Sequence, residues 1–233
     1  MKYLILGGST GIGAEISKSL LDQGNEVFIA SRNATSRMET KDNQTVVDID
    51  ATDDNADWSF LPDTLDGVVY CGGTINLKPF KRLKAEDFMH DFKINVIGAV
   101  NTIQASLKSL KNSDSPSIVM FSSVAADRGL NFHTTISAAK GGVEGLTRAL
   151  SAELAPDIRI NAVALSLTDT PLAEQLLNNE KKQEAGNSRH PLNRYGRPED
   201  AAEAALFLLG TKSSWITGQI LGVDGGMGTI QNL

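Results

Sequence analysis

A glycine-rich stretch near the start of the chain has residue types and a spacing that can bind a phosphate. Residues 2–6 read KYLIL and lead directly into GGSTGIG at residues 7–13. Glycine lets the backbone turn sharply and approach a ligand closely. A helix that begins there points its free N–H groups and its positive dipole end at the space above the turn. We therefore predict a phosphate-binding turn, and the competing interpretation is a glycine-rich loop without a ligand.

The elements that would position this turn alternate along the chain. Apolar runs predict seven strands, over Lys2–Leu6, Glu26–Ala30, Thr45–Asp48, Asp66–Tyr70, Ser117–Phe121, Arg159–Leu165 and Ile220–Val223. Helical spacing predicts a first helix that ends before Gly24, and others over Ala85–Leu110, Thr135–Leu154 and Pro198–Leu209. The polar segment 168–196 favours no assignment. Strands that alternate with helices indicate an α/β fold, a doubly wound parallel sheet flanked by helices on both faces, in a single domain over residues 1–233.

Composition and charge exclude several classes of function. The net charge of −6 and the lack of a Lys/Arg run argue against nucleic-acid binding. Cys71 is the only cysteine, so an intramolecular disulfide is excluded, and no His/Asp/Glu cluster has the spacing of metal ligands. No apolar run reaches the ~18 residues of a membrane span, and a strand that begins at residue 2 leaves no room for a signal peptide. We expect a soluble, cytoplasmic protein that binds no metal.

Ligands of such a sheet bind beyond the carboxyl ends of the strands, near the point where the strand order reverses. The candidate site residues are therefore those that directly follow strands. They are the glycine turn, Ser31-Arg32, Asp50, residues 71–74, Ser122-Ser123 and residues 165–170.

Two distant blocks of the chain resemble the short-chain dehydrogenase/reductase family. The family motif Thr-Gly-x-x-x-Gly-x-Gly is matched at Gly7, Gly11 and Gly13, though not at its leading threonine. The tail matches as well, at RYGRPED over residues 194–200, TGQ over 217–219 and VDGG over 223–226. The resemblance covers essentially the whole chain and implies a single Rossmann-like domain that binds a nicotinamide dinucleotide.

Charge after the second strand predicts which dinucleotide is bound. NAD-binding members have an acidic residue there for the ribose, whereas this chain has Ser31 and Arg32, which suit a 2′-phosphate. We therefore predict NADP(H), with a solvated surface arginine as the alternative role of Arg32. Asp50 and Ala51 resemble the segment that meets the adenine, although Asp48 is an alternative match. The predicted cofactor-binding residues are Gly7, Ser9, Thr10, Gly11, Ile12, Gly13, Ser31, Arg32, Asp50, Ala51, Gly72, Asn95, Lys140, Thr168 and Thr170.

The family tetrad of Asn, Ser, Tyr and Lys is present here except for its tyrosine. The resemblance assigns catalytic roles to Asn95, to Ser123 as the group that orients substrate, and to Lys140 as the group that binds the nicotinamide ribose. The alternatives are a buried structural role for Asn95 and a loop-capping hydroxyl for Ser123. The family motif Tyr-x-x-x-Lys reads Ile136-Ser-Ala-Ala-Lys140. Isoleucine has no proton to give, and general acid–base help is worth about 10²–10⁴ in rate. Reduction of an ordinary ketone should therefore be severely weakened.

Other residues near this position differ from the family as well. Residues 70–73 read YCGG where the family has Asn-Asn-Ala-Gly, and Leu165-Ser166 replaces Pro-Gly at the nicotinamide carboxamide. Alternative proton sources are His133, the hydroxyls of residues 134, 135 and 137, and, more weakly, Tyr70 or Cys71. His90 and His190 are expected at the surface.

Two functions remain open from the sequence. The first is an NADP(H)-dependent oxidoreductase with an altered proton-transfer step, acting on a small-molecule carbonyl or alcohol that water or its own acidic group protonates. The second is a catalytically impaired NADP(H)-binding protein that acts as a sensor or a partner subunit. The resemblance also implies a homodimer or homotetramer and a substrate lid over residues 169–195.

Overall fold

The structure is a computed structural model that describes residues 1–230. Seven parallel strands form one sheet in the order β3-β2-β1-β4-β5-β6-β7. The strands are β1 Lys2–Leu6, β2 Glu26–Ser31, β3 Gln44–Asp48, β4 Gly67–Tyr70, β5 Ser117–Ser123, β6 Arg159–Leu165 and β7 Ile220–Val223. The doubly wound, Rossmann-like fold expected from the sequence is confirmed.

Helices cover both faces of this sheet. They are α1 Gly11–Asp22, α2 Ala85–Phe92, α3 Gly98–Leu110, α4 Thr134–Leu154, α5 Glu174–Leu177, α6 Glu180–Ser188 and α7 Pro198–Leu209. The sequence predicted one helix over residues 85–110. A π-helical turn, Lys93–Ile97, divides it into α2 and α3, while the backbone stays right-handed helical through both junctions. The unassigned polar segment contains the short helices α5 and α6.

The central strands are apolar on both faces because each face packs against its own helical layer. In β1, Leu4 belongs to the core shared with α3 and α4, and its neighbour Ile5 belongs to the core shared with α1 and α7. Successive side chains of a strand point to opposite faces, so an uninterrupted apolar run is what a doubly covered strand requires.

The strand order places the reversal point between β1 and β4. From β1 the chain proceeds to β2 and β3 on one side, and the later strands β4 to β7 extend on the other. The carboxyl ends of β1, β2, β4, β5 and β6 therefore surround one crevice, which is where ligands bind in open α/β sheets.

Candidate functional site

One large cavity lies at this crevice and brings most of the predicted residues together. Its volume is about 1210 Å³, which exceeds the roughly 300–1,000 Å³ of ordinary ligand pockets. Every residue predicted to act in catalysis or cofactor binding, except Asn95, lines it. Residues about 160 positions apart in the chain, such as Gly7 and Thr170, therefore face the same space.

The glycine turn forms one wall of the cavity and leaves the start of α1 open. Gly7 and Gly11 have φ values of +80° and +53°, in the left-handed region that glycine adopts readily. A Cβ on Gly13 would lie 2.3 Å from the Gly7 carbonyl oxygen, so only glycine fits there. No side chain caps the first turn of α1 and no carboxylate occupies it. The turn therefore fits a phosphate group, which the free N–H groups would bind.

The end of the cavity beside β2 carries hydroxyl and guanidinium groups. The Ser9 and Ser31 hydroxyls are 2.8 Å apart. Arg32 and Arg37 are both exposed and both line the cavity. Arg37 was missed by the sequence reasoning because it lies in the loop between β2 and β3, outside the family motifs.

The two candidate adenine-facing aspartates differ in their surroundings. Asp50 lines the cavity, and hydrogen bonds from Thr52 lower the pKa of its carboxyl, with a smaller contribution from the Arg32 charge. Asp48 instead accepts hydrogen bonds from the Thr35 N–H at 2.9 Å and the Thr35 hydroxyl at 2.5 Å. Asp48 thus stabilises the loop after β2, and Asp50 is the aspartate that faces the crevice.

Ser123 is the last residue of β5, two residues beyond the predicted end of that strand. Its hydroxyl oxygen accepts a hydrogen bond from the Ala125 N–H at 3.2 Å. Among the described residues this is the only hydrogen bond of the Ser123 side chain, so its proton is available to donate to a ligand in the cavity.

Lys140 reaches the cavity from the second turn of α4. Its ammonium group donates to the Phe121 carbonyl at 2.8 Å, and the side chain is buried. Burial lowers the pKa of Lys140 to about 8, while burial raises the pKa of the nearby Cys71 thiol to about 12. Cys71 is therefore a neutral apolar neighbour of Lys140 at neutral pH, without the thiolate that reactivity requires.

Asn95 lies in the π-helical turn, behind the cavity wall. Its amide donates to the Thr74 hydroxyl at 2.9 Å and to the Asp91 carbonyl at 2.8 Å. Its Oδ1 is buried without a hydrogen-bond partner among the described residues. A Cβ built on Gly73 would lie 3.6 Å from this Oδ1 and 3.6 Å from the Lys140 ammonium. The structure therefore places Asn95 close to Lys140 but outside the cavity lining. Its predicted role in cofactor binding would need it to line the cavity.

Ile136 and His133 face the same cavity at the start of α4. Ile136 is buried and lines the wall together with Ser123 and Lys140. The His133 Nδ1 is 2.7 Å from the Asn131 carbonyl, so Nδ1 carries a proton and Nε2 faces away from that bond. The preceding residue, Phe132, has a φ of +68°, an uncommon conformation for an aromatic residue.

His190 is buried, and the expectation that it lies at the surface is wrong. Only 1% of His190 is exposed. Its Nδ1 is 2.7 Å from the Gly186 carbonyl and its Nε2 is 2.8 Å from the Ser166 hydroxyl. The sequence shows only a histidine in a polar segment, because the fold alone brings that segment against the end of β6. His90 is exposed, as expected.

Two further expectations concern metals and membranes. Within residues 1–230 no group of three His, Cys, Asp or Glu side chains is placed to hold a metal ion. None of the helices in that same part of the chain combines the length and the apolar character of a membrane span.

Sequence comparison identifies the family. The profile described as "Enoyl-(Acyl carrier protein) reductase" matches residues 7–228. The chain is 33% identical to the 3-oxoacyl-(acyl-carrier-protein) reductase FabG of Chlamydia trachomatis over 239 aligned positions, covering 96% of each protein. This chain belongs to the short-chain dehydrogenase/reductase family. A 147-residue stretch is also 40% identical to FabG of Thermotoga maritima, covering 63% of this chain and 59% of that protein.

Solved structures of other family members have the same fold. The ligand-free aldohexose dehydrogenase of Thermoplasma acidophilum has a TM-score of 0.88 at 26% identity, over 100% of this chain and 95% of that one. The RhlG/NADP complex of Pseudomonas aeruginosa has a TM-score of 0.90 at 25% identity, over 97% and 96%. A tyrosine-to-phenylalanine variant of ElxO with NADPH bound has a TM-score of 0.86 at 25% identity, over 97% and 98%. The family comprises oxidoreductases that use nicotinamide cofactors.

The buried Lys140 of this family member predicts a pH dependence of stability. Its pKa is about 8 in the folded chain and 10.5 ordinarily. Between these pH values the unfolded chain binds a proton that the folded chain has lost, so the free energy of unfolding rises with pH. Urea unfolding should give a free energy of unfolding for the wild type and for Lys140→Met at each pH. The wild-type value minus the variant value should increase from pH 8 to 10.5, by up to about 3 kcal/mol.

The comparison with this variant also removes an opposing effect. The Cys71 thiol ionises more readily in the unfolded chain and lowers stability above pH 9. Because Cys71 is present in both proteins, its contribution largely cancels in the difference. A difference that stays constant between pH 7 and 10 would contradict the charge burial that we assign to Lys140.

Proposed function

We propose that this protein is an NADP(H)-dependent oxidoreductase that acts on a small-molecule carbonyl or alcohol through an altered proton-transfer step. The observation that carries the proposal is the shared cavity: the phosphate-binding turn, Ser123, Lys140 and Ile136 all line it. The cofactor site and a substrate-orienting hydroxyl are thus joined, while the residue four before Lys140 is apolar.

The preference for NADP(H) rests on charge at the adenosine end. Ser31, Arg32 and Arg37 line the cavity there, and the residues that end β2 and follow it, Ser31-Arg32-Asn33, include no carboxylate. A guanidinium binds a phosphate through two parallel hydrogen bonds. The relatives RhlG and ElxO, described with NADP and NADPH, are consistent with this preference.

The residues of this chain divide the work of the reaction. When bound, the cofactor supplies or accepts the hydride. The Ser123 hydroxyl donates a hydrogen bond to the substrate oxygen, and Lys140 holds the nicotinamide ribose. The Asn95 Oδ1 and the Lys140 ammonium both lie 3.6 Å from one point beside Gly73, where a single polar group could contact both. The proton comes from water or from an acidic group of the substrate, because Ile136 has none to give.

The substrate end of the cavity favours an apolar molecule. Its lining there includes Leu130, Phe132, Ile136, Leu172 and Met227. Burial of apolar substrate surface contributes roughly 25 cal/mol per Å². FabG relatives are described as reductases of 3-oxoacyl groups on a carrier protein, and acetoacetyl-CoA is therefore a suitable first probe.

The same isoleucine favours a second function, a catalytically impaired NADP(H)-binding protein that acts as a sensor or partner subunit.

Family members are typically oligomeric, and we propose that this protein forms a homodimer or homotetramer through α4 and the α2–α3 helix.

Titration with NADPH followed by turnover assays tests both functions. We expect NADPH to bind, as monitored by its fluorescence, and to be consumed with acetoacetyl-CoA or another apolar carbonyl probe. Binding without consumption across such a panel would favour the sensor or partner subunit. Failure of NADPH to bind would overturn both.

A further inference from the structure

We infer that His190 is a positioning residue that holds the Ser166 hydroxyl at the nicotinamide end of the cavity and so couples the lid to the complete dinucleotide. The part of the predicted lid, residues 169–195, that concerns us is residues 171–189, which contain α5 and α6. The inference rests on the proposed function, because it assumes that NADP(H) occupies the cavity.

Both ring nitrogens of the buried His190 have hydrogen-bond partners. A carbonyl only accepts, so Nδ1 must carry a proton toward Gly186 at 2.7 Å. Nε2 then meets the Ser166 hydroxyl at 2.8 Å, either accepting its proton or, in the imidazolium, donating to its oxygen. When Nε2 accepts, the single Ser166 proton points at the ring and the hydroxyl oxygen is left to accept a hydrogen bond from a ligand, whereas a ring that donates fixes only the position of the oxygen.

Ser166 joins three segments at the carboxyl edge of the sheet. It directly follows β6 and lines the cavity. Its hydroxyl is also 3.3 Å from the carbonyl of Asp224, just after β7. It stands where the resemblance gives a glycine beside the nicotinamide carboxamide, so this chain adds a hydroxyl at that position.

His190 also fixes the end of α6. Gly186 is the only fully buried residue of that helix. A Cβ on Gly186 would lie 3.2 Å from Leu167, which shows how closely the helix approaches the loop after β6. The Gly186 carbonyl accepts the His190 proton at this point of contact. One side chain therefore connects the lid to the β6 loop, whose Ser166 hydroxyl lies beside the segment after β7.

Removing the imidazole leaves the carbonyl of the buried Gly186 without its side-chain partner, which is more costly than losing an exposed hydrogen bond. The half-buried Ser166 hydroxyl loses its contact with the ring and can turn to the Asp224 carbonyl, 3.3 Å away. The lid would loosen and the hydroxyl would turn away from the nicotinamide end. The adenosine end, some distance away at Ser31 and Arg32, would be unaffected.

Comparing the affinity for the whole cofactor with the affinity for its adenosine half distinguishes this positioning role from a general structural role. We expect His190→Phe to raise the Kd of NADPH about tenfold and to leave the Kd of 2′,5′-ADP unchanged in calorimetric titrations. Ser166→Ala should have the same effect, and the double variant should lose no more than either single variant. Ser188→Ala, which removes an exposed hydroxyl from the end of α6, is the matched control and should bind both ligands normally.

Hydrogen–deuterium exchange supplies the second measurement. NADPH should slow amide exchange over residues 180–188 in the wild type, whereas 2′,5′-ADP should not, and His190→Phe should abolish the NADPH effect. If His190→Phe does not fold, the same affinity and exchange measurements are made on Ser166→Ala, which leaves His190 in place.

The outcomes distinguish the two proposals. Wild-type protein that binds neither NADPH nor 2′,5′-ADP would overturn the proposed function and this inference with it. Wild-type protein that binds NADPH, with unchanged NADPH affinity in the His190 and Ser166 variants, would overturn the inference alone. Equal losses for NADPH and 2′,5′-ADP would show a structural role for His190 and would also overturn it.

Discussion

Ile136→Tyr is expected to raise kcat for the reduction of a carbonyl probe by about 10²–10⁴ fold. The new phenol would stand on the cavity wall with Ser123 and Lys140. From there it could donate a proton to the substrate oxygen as the hydride arrives. The nearby Lys140 ammonium would favour the ionised phenol and so lower its pKa toward the working range. Single-turnover NADPH oxidation with acetoacetyl-CoA measures the change directly.

Ile136→Phe is the matched control for this substitution. It adds the same ring to the same buried position without a proton, so any gain that phenylalanine also produces comes from shape. A gain with tyrosine alone supports the altered proton-transfer step. Equal rates for wild type, Ile136→Tyr and Ile136→Phe would contradict it, since they would mean that proton transfer at this position does not limit reduction.

Arg32→Ala is expected to raise the Kd of NADPH by about 10–100 fold and to change the Kd of NADH little. Hydrogen bonds to charged groups contribute about 1.5–3 kcal/mol, and only NADPH carries the 2′-phosphate. Because Arg32 is exposed, added salt should screen part of this preference. Titrations of both cofactors at low and high ionic strength measure the two effects together.

The neighbouring Arg37 should also contribute to NADPH affinity, so Arg32→Ala alone should remove only part of the preference for NADPH. Arg37 lines the same end of the cavity, so Arg37→Ala should add to the loss and the double variant should approach the affinity for NADH. Arg82→Ala, which removes an exposed arginine outside the cavity, is the control. Equal losses of NADPH and NADH in Arg32→Ala would refute its role at the phosphate.

Most of the fold was predictable because its signals are local. A strand covered on both faces must be apolar throughout, and a helix that covers one face must repeat its apolar residues at helical spacing. These requirements set the seven strands and the long helices within a few residues. The π-helical turn was not predictable, because helical spacing continues across Lys93–Ile97 and so predicts one uninterrupted helix.

The site was predictable in so far as its residues follow strands. Ser31 and Ser123 prove to be the last residues of β2 and β5. Sequence alone could not show whether Asp48 or Asp50 faces the cavity, because they are only two residues apart. The structure shows that Thr35 donates its hydrogen bonds to Asp48 and that Asp50 lines the cavity. Sequence alone also could not show that Asn95 lies behind the cavity wall, because its position in a helix does not reveal which side chains of other elements lie between it and the cavity.

The sequence by itself determined the family and the absence of an acidic side chain at residue 136, and it predicted the phosphate-binding turn, because each depends on residue type at a stated spacing. Only the tertiary structure decided that His190 is buried against Ser166 and that Arg37 joins Arg32. The His190 contact joins residues 24 positions apart at the end of β6, and Arg37 reaches the cavity lining through the fold of the loop after β2. The glycine turn has the geometry to bind a phosphate, and the residues packed at the other end of the cavity determine which substrate and proton donor can be present there.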